Sequence, residues 1–376
     1  MRVGMVFPQR EECGIAQFSR DLVAALTAAG VDITVIDSSE PVGRLLEKTA
    51  GCDVVHVQYE TGFFARGRKD HFVPFMQRLT VPSVVSLHEV YATDPFVFPR
   101  ENLSGNGLLL YLKRLLWDFR HPLQCMARRH RKNGYLATMV LVFHEYQKRI
   151  LLESGVDISR INVLFNPVLG ARSVRPFALP GLPLLHLGAA GFVNPAYDSD
   201  LLFETLAQLT HPWTFTWIGG AREAAGRAVF EALNSRIAAC GWGDRFTITG
   251  WLPQREFDER LDALDIVLAL FAQRSTSGSI ARALGAGKPV IATRLPLTEE
   301  LAGGCNGRKM SLEEPAGPLL LSERSAGAVV GWIERFAADE QLRKRLLGRI
   351  MECHEYHSLE RYAQELVNLY REVRSG

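Results

Sequence analysis

The residues best suited to chemistry form one run, Ser275-Thr276-Ser277-Gly278-Ser279, followed by a helix-length stretch that ends at Gly285-Ala286-Gly287. Small hydroxyl residues and a glycine at a helix start place unpaired backbone N–H groups and the positive end of the helix dipole at one point. Such a point binds phosphate oxygens, with the hydroxyls assisting or serving only as helix caps. A second candidate is Gly14, within Glu12-Cys13-Gly14-Ile15-Ala16, between a first strand and a first helix. It presents backbone N–H groups to a ligand or is simply a tight turn. A third is His88, at the end of the strand Ser83–Glu89, with Glu89 beside it and Glu60 at another strand end. An imidazole there can donate to oxygens of a bound ligand or orient a hydroxyl, and a buried, satisfied histidine is the plain alternative. His144-Glu145 reads chiefly as a helix start. The chain has neither GxGxxG nor GxxxxGK[ST], which argues against a nicotinamide or flavin site and against a P-loop.

Short β-branched runs alternating with helical patterns must position these groups. Strands are expected at Arg2–Pro8, Asp32–Asp37, Asp53–Glu60, Ser83–Glu89, Thr138–Phe143 and Ile161–Phe165, with a helix over Ala16–Ala29. Runs such as Met139-Val140-Leu141-Val142-Phe143 are continuously apolar, as in parallel strands covered on both faces. A loop rich in proline and glycine, Asn166–Pro183, breaks the rhythm. The alternation then restarts, with strands at Leu184–Ala189, Phe215–Gly219, Phe246–Gly250, Ile266–Leu270, Pro289–Thr293 and Leu319–Leu321 and helices at Glu223–Ala239 and Ser277–Gly285. This predicts an α/β chain of two doubly wound domains, residues 1–170 and 171–355, with a ligand cleft between them. A closing helix, Leu359–Val373, carries one apolar face.

At 376 residues two domains are the default. A hydrophobic share of 47% excludes a mostly disordered chain, and a net charge of +2 excludes a global field for polyanions. One local exception runs from Arg100 to Lys132, with eight basic residues against Glu101 and Asp118, interleaved with Leu108–Leu112, Leu115, Leu116, Trp117 and Phe119. A basic amphipathic segment of this kind is either an ordinary solvated helix or a seat on an anionic membrane surface; nucleic acid is not expected as a partner. The longest apolar runs fall short of a bilayer span. Met1–Pro8 reads as a strand rather than a signal peptide. The six cysteines lie at least 39 residues apart, so redox or zinc pairs are not expected and a cytoplasmic location is.

The run through Gly287-Lys288-Pro289-Val290-Ile291-Ala292-Thr293 resembles the donor region of retaining glycosyltransferases of the GT-B fold, family 4. Further pieces follow in that family's order: Gly14-Ile15-Ala16, Asp53–Glu60, Ser86-Leu87-His88-Glu89, Val163–Val168, Gly191-Phe192-Val193-Asn194-Pro195, Trp217-Ile218-Gly219-Gly220 and Gly250-Trp251-Leu252-Pro253. The resemblance implies two Rossmann-like domains, a nucleotide sugar (UDP- or GDP-linked) held mainly by the second, and an acceptor site on the first. The final helix, 356–376, would return to the N-terminal domain. The implied donor set is Gly14, Asn194, Gly219, Ser275, Thr276, Ser277, Gly278, Ser279 and Arg282, with His88 near the reacting sugar. No metal or other cofactor is expected, because helix dipoles and basic side chains offset the leaving group's charge.

Four positions depart from the family pattern. Where it places two glutamates eight residues apart, this chain has Arg274 and Arg282; where it places an arginine and a lysine on the diphosphate, it has Phe192 and Tyr197. A guanidinium fork suits phosphate, so Arg274 is expected to stabilise the departing diphosphate, while Arg282 either joins it or forms a structural ion pair. The expected activity is sugar transfer, with retention, from a nucleotide sugar to a hydroxyl of a saccharide or lipid-linked acceptor in surface polysaccharide or glycoconjugate synthesis. A degenerate binding protein and a nucleotide-sugar epimerase are the rival readings.

Overall fold

The computed structural model describes residues 1–60, 62–66, 69–92, 112–113, 116, 119–120, 125–169, 184–222, 224–302 and 319–375. Most of the expected linker and most of the basic segment, Trp117 included, lie outside these residues. The chain divides into two compact units, Met1–Pro167 with Leu359–Gly376, and Val168–Ser358.

The first unit contains β1 (Arg2–Phe7), β2 (Asp32–Asp37) and β3 (Val54–Tyr59). The short hairpin β4 (Ala65–Arg66) and β5 (Lys69–Asp70) follows, then β6 (Ser83–Leu87), β7 (Met139–Val142) and β8 (Ile161–Val163). Its main sheet is parallel throughout, in the order β2-β1-β3-β6-β7-β8. All six residues of β3 and all five of β6 are buried, which is why their sequences are near-continuously apolar. The strands end earlier than periodicity suggests. β6 stops at Leu87, so His88 and Glu89 stand just beyond it, although the His88 N–H still donates to Tyr59 O at 3.2 Å. The first helix is Gly14–Ala28, two residues longer at its start than expected. Gly14 is therefore its first helical residue rather than a turn residue, because nothing between Cys13 and Ala16 prevents helical backbone.

The closing helix, Leu359–Ser375, buries Tyr362, Ala363, Leu366, Leu369, Tyr370 and Val373. It packs on the helix Gly14–Ala28 and on β3 and β6. Fully buried aliphatic side chains such as Leu22 and Leu366 contribute about 1.5–3 kcal/mol each. Through these contacts a C-terminal segment belongs to the N-terminal unit.

The second unit contains β9 (Leu185–Ala190), β10 (Trp213–Ile218), β11 (Phe246–Ile248), β12 (Ile266–Ala269), β13 (Val290–Ala292) and β14 (Leu319–Leu320). These strands are parallel in the order β11-β10-β9-β12-β13-β14. In both units the sheet order reverses beside its first strand, at β1/β3 and at β9/β12. Open α/β sheets bind ligands beyond the carboxyl ends of the strands at such points.

Candidate functional site

In the second unit the loops after β9, β10 and β11 converge through glycine. A Cβ on Gly219 would lie 2.2 Å from Gly191 O, and one on Gly220 would lie 3.1 Å from Gly250 Cα. Gly191 and Gly219 have φ of +105° and +138°, a region that side chains other than hydrogen resist. The backbone is pinned in place: Trp217 Nε1 donates to Gly191 O at 3.0 Å and Gly219 N donates to Thr249 Oγ1 at 3.0 Å. On the other side of β9, a Cβ on Gly191 would touch Ser279 at 3.6 Å. The β9/β12 reversal is thus lined by bare backbone and by the start of the helix Gly278–Gly285.

That helix begins as its residue types suggest. Ser277 is the N-cap, its Oγ accepting from Ile280 N at 3.2 Å and lying 3.0 Å from Ser279 Oγ. Ser277 is 1% exposed, so its hydroxyl is occupied by capping rather than held open. Gly278 is exposed, with open space where a Cβ would sit. Ser275 and Thr276 lie just before the cap, Ser275 buried and Thr276 half-buried. Arg282 is buried within the helix.

Arg274 is half-buried, with its guanidinium carbon 5.3 Å from the centre of the Phe271 ring. Its Nε is buried and lacks a hydrogen-bond partner among the described residues. A buried, unsatisfied donor on a charged group is costly unless a ligand or water completes it. The departures from the family pattern have local explanations. Tyr197 is buried, its hydroxyl donating to Leu268 O at 3.0 Å and its ring against Trp217; burial pushes its pKa up. Phe192 stacks on Trp251, which is 40% exposed. Asn194 braces its own loop, donating to Phe192 O and accepting from Ala196 N, both at 2.9 Å. Its amide is engaged without a ligand.

One basic residue went unnoticed in the sequence. Arg222 follows the Gly219-Gly220 turn and sets its guanidinium carbon 5.7 Å from the Phe192 ring centre. Its position after a strand-end glycine pair was the available signal.

In the first unit, Gly14 opens its helix exposed, with nothing within 4 Å of a Cβ placed there and no side-chain cap from Cys13. His88 is 7% exposed and lies between Phe18 and Phe143, at 5.7 and 5.0 Å between ring centres. Its Nε2 is 2.7 Å from Gln58 Oε1. Burial lowers its pKa to about 3, so it is neutral at pH 7. Glu60 and Glu89 are half-buried beside it in sequence and strand position. His144 occupies the N-cap position of the helix Glu145–Glu153 and packs against Tyr146 and Phe165.

Among the described residues no group of three His, Cys, Asp or Glu is arranged to hold a metal ion, and no helix is long and apolar enough to cross a membrane.

Comparison with known proteins bears on the fold. A family model described as glycosyl transferases group 1 matches residues 185–322. Sucrose-phosphate synthase from Thermosynechococcus elongatus is similar at 16% identity and a TM-score of 0.70, covering 100% of this chain and 99% of that one. HepE of Anabaena, solved with UDP and glucose, is similar at 14% identity and 0.66, covering 99% and 100%. An alpha-glucosyltransferase solved with UDP and DNA is similar at 11% identity and 0.68, covering 99% of each chain. A comparison with curated protein sequences finds no match. The chain therefore has the GT-B fold of these structures, and its residues 185–322 match the glycosyl transferases group 1 model.

Proposed function

We propose that this protein is a glycosyltransferase that moves a sugar from a nucleotide diphosphate sugar to a hydroxyl of a saccharide or lipid-linked acceptor. The observation that carries the reading is the glycine-lined reversal at β9/β12, set beside the helix start Ser277–Ser279 and the Nε of Arg274, which has no partner among the described residues. Bare backbone allows a diphosphate to approach, helix N–H groups bind it, and a guanidinium offsets charge on the leaving group. The UDP and UDP-glucose bound by similar structures support this choice of donor. In this reading Arg274 contacts the diphosphate, Arg222 stands in for the cations lost at Phe192 and Tyr197, and His88 lies near the reacting sugar. Transfer proceeds with retention and without a metal, the departing phosphate taking the acceptor proton, so no protein nucleophile is needed.

Thermal shift with UDP, GDP, ADP and their sugar conjugates tests the donor. A rise in Tm with one nucleotide family and release of that nucleotide on adding acceptor saccharides is the expected result. Binding with no turnover or donor hydrolysis would favour the degenerate, non-catalytic reading, for which the buried, fully engaged Tyr197 speaks.

The proposal extends to an anionic membrane surface as the place where a lipid-linked acceptor is met, in surface polysaccharide or glycoconjugate synthesis, with the protein cytoplasmic and peripheral. Leu112, Leu116 and Phe119 are helical and 47%, 60% and 85% exposed, with Lys113 and Arg120 exposed beside them. Each basic residue near an anionic leaflet contributes about 1 kcal/mol, screened by salt. Sedimentation with anionic vesicles at low salt, but not with neutral ones, is expected; equal, negligible sedimentation with both overturns this part.

A further inference from the structure

Behind His88 runs a continuous line of buried polar groups. Gln58 Oε1 lies 2.7 Å from His88 Nε2, and Gln58 Nε2 lies 3.2 Å from His56 Nε2. His56 Nδ1 lies 2.5 Å from the Tyr370 hydroxyl, and its Nε2 is also 2.7 Å from Ser86 Oγ. Gln58, His56, Ser86 and Tyr370 are all fully buried. The line therefore joins β3, β6 and the closing helix Leu359–Ser375.

Its direction follows from donor chemistry. Gln58 Nε2 also faces the Met5 sulfur at 3.7 Å, and a thioether only accepts. The amide nitrogen thus belongs on the side of Met5 and His56, and the amide oxygen, which only accepts, faces His88. His88 must then carry its proton on Nε2 and donate it to Gln58. Gln58 and the Ser86 hydroxyl then both donate to the His56 Nε2 lone pair, and His56 Nδ1–H donates to the Tyr370 oxygen. Reversing one link would set two donors against each other among buried groups, so the groups would have to reverse together.

We propose that Gln58 is a positioning residue for the transfer reaction, holding the His88 ring in its Nε2–H tautomer with His56 and Tyr370 as its backing. The inference rests on the reading of His88 as a group at the reacting centre. Burial, which lowers the pKa of both histidines to about 3, keeps them neutral and supports the arrangement.

The direct test is ring-nitrogen NMR of the full chain labelled with 15N-histidine. His88 is expected with its proton on Nε2 and His56 with its proton on Nδ1. In the near-isosteric Gln58→Met, His88 should become a mixture of tautomers. His88 protonated on Nδ1 in the unaltered chain, or unchanged in Gln58→Met, overturns the inference. If Gln58→Met does not fold, Tyr370→Phe removes the far end of the line instead; a mixed His88 tautomer is again expected, and an unchanged one again overturns it. UDP release from UDP-glucose adds a functional arm. Gln58→Met should lower kcat about 10–100-fold with KM within about twofold, and should add nothing to His88→Ala. Equal losses in both backgrounds mark a structural role and overturn the inference alone. Full activity in His88→Ala would instead sink the reading of His88 on which it rests.

Discussion

The two units share a sheet order and a reversal beside the first strand, yet their candidate sites are built from opposite materials. In the first unit the site is made of side chains. His88, Gln58 and His56 contact one another in a buried interior, and aromatic rings close around His88. In the second unit the site is made of backbone. Glycines at 191, 219, 220 and 250 remove side chains so that loops can meet, and the Arg274 Nε has no hydrogen-bond partner among the described residues. The contrast teaches which chemistry each can do. A closed network orients a neutral ring and resists charge, whereas bare backbone beside a guanidinium leaves room for an anion.

The largest effect expected from this contrast is in acid. The histidines whose pKa burial depresses, His56 and His88 to about 3 and His130 to about 4, all lie in the first unit. Unfolded, each titrates near 6.5, so below that pH the unfolded chain binds more protons. Stability present above pH 6.5 is then lost as pH falls toward the folded values, by up to about 1.4 kcal/mol per pH unit for each histidine. Hydrogen exchange between pH 7 and 4.5 should show β3 and β6 losing protection before β9 and β10. Simultaneous loss in both sheets would break the comparison.

Next in size is Arg274→Ala. Removing a preorganised donor to developing charge should cost about 10²–10³ in turnover at saturating donor, with the fold intact by circular dichroism. Near-normal turnover would leave the second site without its cation. Conversely, higher activity in Arg274→Glu would show that a carboxylate, not a guanidinium, is what the position serves.

Gly219→Ala should cost about 1–3 kcal/mol of stability, since a Cβ cannot share space with Gly191 O and φ is +138°. Tm and nucleotide affinity should fall together. An unchanged Tm would mean that the loops after β9 and β10 do not need this close approach.

The smallest effect is expected at Gly278, which is exposed with open space around it. Gly278→Val should leave Tm unchanged, yet weaken nucleotide binding about tenfold, roughly 1.4 kcal/mol. Unchanged affinity in calorimetry would remove this helix start from the binding site.

Local pattern was enough to determine most of the elements. Continuous apolar runs specify strands buried on both faces, and Ser277 before Gly278 specifies a capped helix start, because these choices depend on near neighbours in the chain. The closing apolar face on Leu359–Ser375 was legible for the same reason. What satisfies a buried polar group was not legible. Asn194 and Ser277 stand among the expected donor residues, but type and spacing did not reveal that Asn194 also bonds Ala196 N and Phe192 O and that Ser277 accepts from Ile280 N. Tyr370 is 314 positions from His56, and only the packing of the closing helix on β3 and β6 brings its hydroxyl to that imidazole. Gln58 meets His88 because β3 pairs with β6 in the register that sets Gln58 opposite Ser86. Strand order and register are long-range choices made by the whole core, and they alone decide which donor finds which acceptor.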